Sequence, residues 1–455
     1  MKKTVMLKVV CMLLLAALIP AAAGCSTVPG GPRATHEPVI DHTQPPLPDD
    51  YDKTEAVVKD QTGNIKYLTS SAGSSNRTKG EVSEAFKAQY AELALRLLGE
   101  CSDGKSTLIS PLSILTALQM TANGAQGSTL DEMMRVLGGN IDRDTMNQML
   151  FNYYESLGSS DDAKFHVANA IWMTDRQDFL VNKGFIDVVD NTFRADVAKA
   201  PFTDNATVDA INKWCADNTD DMIPKILDYD SVNENTIMVL LNALCFDALW
   251  VDQYEEYQVK DSTFHGVSGN TTVKMMNSKE SCYVSGARET GFLKRYRGQY
   301  AFVALLPEKG LSVDDYLATL TGEEFVNLMN NRSYDYDVTA GLPKFQYDWD
   351  KSLADILKKM GMEKAFDEAK ADFSALGTLP GANLFITDVI HKTHIEVDES
   401  GTRAAAVTAV MVESKGMPVE KQKKTVVLDR PFVYAIVDTN SMLPLFIGTV
   451  TEING

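Results

Sequence analysis

Glu399-Ser400-Gly401-Thr402-Arg403-Ala404-Ala405-Ala406-Val407-Thr408-Ala409 follows directly on His394-Ile395-Glu396-Val397-Asp398, a run whose apolar and polar residues alternate and which therefore predicts a strand. Gly401 frees the backbone at the end of that strand, and small residues follow where a globular core would want large ones. With period 2, Thr402, Ala404, Ala406, Thr408 and Val410 share one face and Arg403 lies on the other. Such a segment fits a narrow slot between two strands, with its small side chains inward and the arginine outward. The stretch containing Glu413, Lys415, Gly416, Pro418, Glu420, Lys421, Lys423 and Lys424 predicts an exposed loop. Val426-Val427-Leu428 then resumes an apolar pattern, and Arg430-Pro431-Phe432-Val433-Tyr434-Ala435-Ile436 predicts a buried strand.

Other motifs precede this region in a fixed order. Ser110-Pro111-Leu112-Ser113-Ile114 leads through Ala117-Leu118 to Asn123-Gly124-Ala125-Gln126-Gly127-Ser128-Thr129. Ile211-Asn212-Lys213-Trp214 runs on to Ile223-Pro224, and Asn242-Ala243-Leu244-Cys245-Phe246 is followed by Trp250. Then come Leu342-Pro343-Lys344-Phe345, Gly361-Met362 with Ala365-Phe366, and Ala371-Asp372-Phe373-Ser374. Together with the small-residue hinge, the exposed loop and the closing Arg-Pro-Phe strand, the series resembles the serpin family from about residue 80 onward. Each motif alone is common; the ordered set is specific.

The N-terminus carries Lys2, Lys3 and Lys8, an apolar run from Val9 to Ile19, and then Pro20-Ala21-Ala22-Ala23-Gly24-Cys25. A basic start, a short apolar stretch and small residues predict a secretory leader over residues 1–24, too short for a stable membrane span. Small residues before a cysteine resemble a bacterial lipoprotein box, with cleavage before Cys25 and lipid on its sulfur. An ordinary signal peptide beside an incidental cysteine is the alternative, and Ala22 at the start of the box favours it slightly. Residues 25–80 are rich in Pro, Gly, Ser, Thr and Asp without periodicity, which predicts a linker rather than a domain. A flexible chain of that length has an end-to-end distance of roughly 40 Å. Residues 81–455 show no further break in composition and predict one domain of about 375 residues, ample for a well-buried core.

The 43 basic and 62 acidic residues give a net charge of −19, and removing the three leader lysines makes the balance more negative still. That argues against nucleic-acid binding, which needs a basic face, and Lys421, Lys423 and Lys424 read as solvated loop charges. Cys101, Cys215, Cys245 and Cys282 remain in the domain, irregularly spaced in a fold large enough to need no staples, and no disulfide is expected.

An enzyme would need a constellation of reactive side chains. There is no Gly-x-Ser-x-Gly elbow, no Cys/His pair in a recognisable setting, no phosphate-cradling loop and no dinucleotide fingerprint. His391-x-x-His394 with Glu396 suggests a metal site, but residues three apart on a strand point to opposite faces. The residues predict no catalytic group, no metal and no cofactor.

The resemblance implies an α+β fold: a large central, mostly antiparallel sheet, further sheets, eight or nine helices, and an exposed reactive loop near the C-terminus. It implies a monomeric, single-use inhibitor that forms a covalent complex with a serine protease; the alternatives are a non-inhibitory serpin-fold binding protein, or an inhibitor of elastase-like or cysteine proteases. It assigns the hinge to Glu399, Gly401, Thr402, Ala404, Ala405, Ala406 and Thr408, and a sheet-opening region to Ser110, Ser113, Asn242, Trp250 and His391. For Ser110, capping the following helix explains the residue nearly as well; Trp250 sits either where the loop enters or in the core. Non-inhibitory members tend to carry charged, bulky or proline residues in the hinge, whereas every inward residue here from Thr402 to Thr408 is small or β-branched. Arg403 departs from a common glutamate, on the outward face. Inhibitory loops usually place the reactive bond sixteen residues after the hinge glutamate, which lands on Lys415-Gly416 and suits a trypsin-like pocket. Counting back from Pro431 disagrees, because this loop is about five residues longer than in common relatives. Met411 or Val412 would suit elastase-like enzymes but shorten the inserting arm by roughly 10–13 Å. The leader and Cys25 place the domain at the cell envelope, tethered to a membrane surface.

Overall fold

The computed structural model describes residues 9–20, 60–62, 64–69, 77–401 apart from 220 and 222, and 421–453. Its largest sheet is built, in chain order, from β1 (Val9–Pro20), β2 (Asp60–Thr62), β3 (Ile65–Tyr67), β4 (Ala163–Thr174), β5 (Asp196–Ala200), β6 (Met238–Ala248), β7 (Phe345–Ser352) and β8 (Leu384–Val397). Across the sheet the order is β7-β8-β1-β6-β4-β5-β3-β2. All pairings are antiparallel except β4 with β5. A six-stranded sheet contains Cys282–Ser285, Glu289–Arg295, Tyr300–Pro307, Phe432–Asp438, Pro444–Val450 and Thr107–Ile109. A four-stranded sheet joins Gln422–Val427, Tyr336–Pro343, Gly269–Glu280 and Val259–Gly266. Nine α-helices lie among the described residues. This is the expected α+β architecture.

The centre of the large sheet is covered on both sides, and β6 reads accordingly. All eleven of its residues are buried, and the run is apolar apart from Asn242 and Asp247. Helix α1 (Pro111–Ala122) is buried along its whole length. Proline at its first position needs no N–H there, and Ser110 closes the N-terminus, its Oγ accepting from the Ser113 N–H at 3.2 Å. The sequence motifs fall at joints between elements. Asn212 accepts from the Ile226 and Leu227 N–H groups and donates to the Leu227 carbonyl, pinning the segment after its helix, Asn205–Asn218. Asp372 ties Gln126 and Thr129 to the segment after Phe366 through its backbone.

Three stretches lie in strands. Val9–Pro20, part of the stretch that the sequence reads as a leader, forms β1 between β8 and β6, antiparallel to both. Residues 60–62 and 64–69, within the stretch that the sequence reads as a linker, extend the far edge of the sheet: β3 pairs with β5, and the Thr69 hydroxyl donates to the Ala195 carbonyl while accepting from the Val197 N–H. Lys423 and Lys424, expected in the exposed loop, belong to the strand Gln422–Val427, which pairs in parallel with Tyr336–Pro343. Lysine is a usual residue on such an edge, and the Lys424 ammonium lies 5.0 Å from the Tyr336 ring centroid and 5.4 Å from that of Tyr283. Cys101, Cys215 and Cys282 are buried free thiols, and Cys245 is buried as well. Burial pushes the Cys101 and Cys215 thiols up to about 12, which keeps them unreactive at neutral pH.

Candidate functional site: a strand-wide slot and its hinge

β6 and β8 do not pair with each other; one strand, β1, lies between them. At ordinary interstrand spacing the two lips therefore stand about 9–10 Å apart. The hinge sits at one end of this slot. β8 ends at Val397, and Asp398–Gly401 forms a tight turn in which the Ser400 N–H donates to Asp398 Oδ1 at 2.7 Å and the Asp398 N–H to the Gly401 carbonyl at 3.3 Å. Gly401 then makes an antiparallel bridge with Leu249, just beyond β6. Its φ is +135°, and a Cβ there would meet the Ala248 carbonyl oxygen at 2.4 Å and the Leu249 Cα at 2.7 Å. Both conformation and space demand glycine. At Gly401 itself the backbone is antiparallel to the β6 side, and so to β8, at the mouth of the slot, the direction in which β1 also runs.

The turn is gripped from the β6 side. Trp250 is fully buried and stacked on Tyr296 with ring centroids 4.1 Å apart. Its indole N–H donates to the Asp398 carbonyl at 2.9 Å and its backbone N–H to the Ser400 carbonyl at 3.1 Å. The Tyr254 N–H donates to the Glu399 carbonyl, and the Gln253 side chain to that of Ser400. Trp250 thus lies where the chain turns toward the slot and also fills core. Glu399 forms an ion pair with Lys344, the lysine of Leu342-Pro343-Lys344-Phe345. Burial works to raise the Glu399 carboxyl, but the Lys344 ammonium outweighs it and holds the group below the usual glutamate range.

Midway down the slot, the two lips carry complementary unpaired groups. On β8, His391 is fully buried and its Nε2 accepts from the Ser110 N–H at 3.0 Å, while Nδ1 has no partner. Because Nε2 accepts, the neutral ring carries its proton on Nδ1. Burial pushes the ring's pKa down to about 3, so it is neutral at ordinary pH. On β6, the Asn242 amide donates to Asn169 Oδ1 at 2.7 Å, Asn169 donates to the Phe193 carbonyl, and Asn242 Oδ1 is left without a partner. His391 lies opposite Leu14 of β1, and Asn242 falls where the β1–β6 register breaks between Cys11 and Ala16. A donor on one lip and an acceptor on the other, both buried, are each costly to leave unmade, by about 1–3 kcal/mol.

The sequence-predicted residues therefore separate into groups. Ser110, Ser113 and His391 meet at the start of α1, where Ser110 both caps the helix and touches His391. Asn242 lies on the other lip, bonded to Asn169; Trp250, Glu399 and Gly401 meet at the mouth of the slot. Thr402, Ala404, Ala405, Ala406, Thr408, Met411, Val412, Lys415, Gly416 and Cys25 lie outside the described residues. His394 sits on the opposite face of β8 from His391, its Nδ1 2.7 Å from Asp348 Oδ1. Sequence reasoning missed Asn169, Gln253 and Tyr254, which act through position rather than through any motif.

Comparison with known proteins agrees with this geometry. The family model described as Serpin (serine protease inhibitor) matches residues 88–453. An uncharacterized serpin-like protein of Thermococcus kodakarensis is 28% identical over 442 residues, covering 96% of this chain and 97% of its own. Iripin-5 of Ixodes ricinus is 30% identical over 366 residues, covering 77% and 90%. The crystal structure of the thermophilic serpin Tengpin in its native state aligns with a TM-score of 0.76 at 40% identity, over 84% of this chain and 97% of that one. Thyroxine-binding globulin in complex with thyroxine shares the fold at 23% identity, with a TM-score of 0.67 over 81% and 98% of the two chains. The family is one of protease inhibitors rather than enzymes, and this chain belongs to it: it is a serpin.

Proposed function

We propose that this chain is an inhibitory serpin, a single-use substrate that traps a serine protease by inserting its cut loop into the large sheet. The observation that carries this is the pairing of a one-strand slot between β6 and β8 with a hinge turn that returns the chain antiparallel to β8 at its mouth. The protease attacks the loop through its own serine and forms an acyl-enzyme. The freed arm then enters as a new strand, main-chain groups pair on both sides, and the tethered protease is carried to the far end. Small residues at Thr402, Ala404, Ala406 and Thr408 let the arm enter without burying charge. Before cleavage the slot closes, and the His391 Nδ1–H and Asn242 Oδ1 satisfy each other across it.

Removal of residues 1–24 takes β1 out of the sheet and vacates the slot, and lipid on Cys25 tethers the domain to a membrane at the cell envelope. The bond is Lys415-Gly416: the arm from Thr402 to Lys415 is long enough to fill the slot, and a lysine suits a protease pocket with an acid at its base. The test is incubation with trypsin. The expected result is a denaturant-resistant covalent complex and a released fragment beginning at Gly416, both abolished by Lys415→Ala. A fragment starting at Val412 or Glu413 would move the bond to Met411 or Val412 and the target to an elastase-like enzyme. Cleavage at Lys415 with no complex would overturn inhibition and leave a serpin-fold binding protein.

A further inference from the structure

A buried cation stands behind the hinge grip. Lys294, in the strand Glu289–Arg295, is 2% exposed. Its ammonium donates to the Asp252 carbonyl at 2.9 Å and lies 3.1 Å from Glu280 Oε1, 4.3 Å from the Tyr254 ring centroid and 5.4 Å from that of Trp250. Glu280 also accepts from the Ser278 hydroxyl at 2.6 Å. Every partner of Lys294 except Glu280 belongs to the segment 250–254 that hydrogen-bonds the hinge carbonyls of Asp398, Glu399 and Ser400. The backbone joins the same two elements, with the Val251 N–H donating to the Arg295 carbonyl and the Arg297 N–H to that of Leu249.

A lysine buried this deeply would be costly without compensation. Here it has a carboxylate, a carbonyl and two aromatic faces, and the last three are all parts of one gripping segment. A cation held over aromatic rings out of water is strongly attracted to both. We propose that Lys294 is a positioning residue, a buried brace that holds Trp250 and Tyr254 on the hinge backbone and so sets how readily the loop is drawn into the sheet. The second half of this assignment rests on the insertion mechanism above; the first half does not.

The test is hydrogen–deuterium exchange of the full chain, read at the Trp250 and Tyr254 amides. Lys294→Met keeps an unbranched side chain out to the ε position and removes the ammonium. It is expected to speed exchange at both amides at least tenfold while leaving the Tyr434 and Ile436 amides of the six-stranded sheet within twofold. A residue with only a general structural role would move all four together, and that result overturns the brace. Lys294→Met with Glu280→Gln removes the stranded carboxylate and is expected to keep the fast exchange; a return to the wild-type rate would mean that the unpaired glutamate, not the lost brace, is responsible. If Lys294→Met does not fold, the double variant supplies the same reading. The exchange measurements need no protease, so failure of the wild type to trap a protease would end the insertion mechanism without touching the brace. Fast exchange with an unchanged stoichiometry of inhibition would remove the brace's control over insertion.

Discussion

Replacing His391 with glutamine should flatten the acid dependence of stability, and the size of the effect follows from its surroundings. The ring is fully buried, its Nε2 already accepts from Ser110, and burial holds its pKa near 3. An unfolded chain exposes the same ring with an ordinary value near 6.5. Between those values the unfolded state binds one more proton than the folded state. The contribution of His391 is therefore fully present above about pH 6.5 and is lost as pH falls toward 3, with a slope of about 1.4 kcal/mol per pH unit. Taking the protein from pH 6.5 to 4.5 should cost roughly 2–3 kcal/mol through this group alone. Glutamine has an acceptor for the Ser110 N–H and a donor toward Asn242, and does not titrate. Urea unfolding of wild type and His391→Gln across that range gives the answer as a difference, since shared carboxylates cancel. Curves that stay parallel would refute both the buried neutral ring and the hydrogen-bond assignment built on it.

Thr402→Arg should leave the fold intact but turn the proposed inhibitor into a substrate, because a charge would have to enter the sheet unpaired at several kcal/mol; Arg403→Glu, on the face that the period-2 reading turns outward, should be close to neutral, and equal inhibition by all three proteins would exclude insertion. Nicking the loop of the mature chain with a non-target protease should raise the thermal midpoint by tens of degrees, as stored strain is released; scanning calorimetry of intact and nicked protein decides it, and an unchanged midpoint speaks for a carrier. Cys25→Ala should move the protein from the membrane fraction to the soluble fraction, since lipid on that sulfur is the proposed anchor; persistent membrane association would require another attachment.

Much of the fold is legible in the sequence because its joints use residues that cannot be exchanged freely. Gly401 is fixed by a positive φ and a close approach to Ala248, Pro111 and Ser110 by the start of a buried helix, and Lys344 by the carboxylate of Glu399. What the sequence conceals is of two kinds. Edge strands carry charge that hides their period, so Lys423 and Lys424 read as loop although they belong to a strand. Partners drawn from distant elements carry no motif: Asn169 lies far from Asn242 in sequence, yet only their pairing shows which amide atom of Asn242 is left over at the slot. An apolar run such as Val9–Pro20 is ambiguous for another reason, since a secretory leader and a central strand of a fully covered sheet ask for the same residues.

The length of β8 sets a scale for everything that happens beside it. It has 14 residues, and a strand rises about 3.3 Å per residue, so the slot it borders measures roughly 46 Å. The segment from Thr402 to Lys415 contains the same number of residues, so an arm that tracks β8 from the hinge comes to the end of the sheet as it comes to the end of itself. With the proposed bond at Lys415-Gly416, the sheet would act as a ruler and the loop would be cut to it. Removing two residues from the arm would stop a tethered cargo about 7 Å short, while adding two would leave slack beyond Leu384. Loop length and strand length cannot vary independently in such a molecule, even though no side chain of one specifies the other.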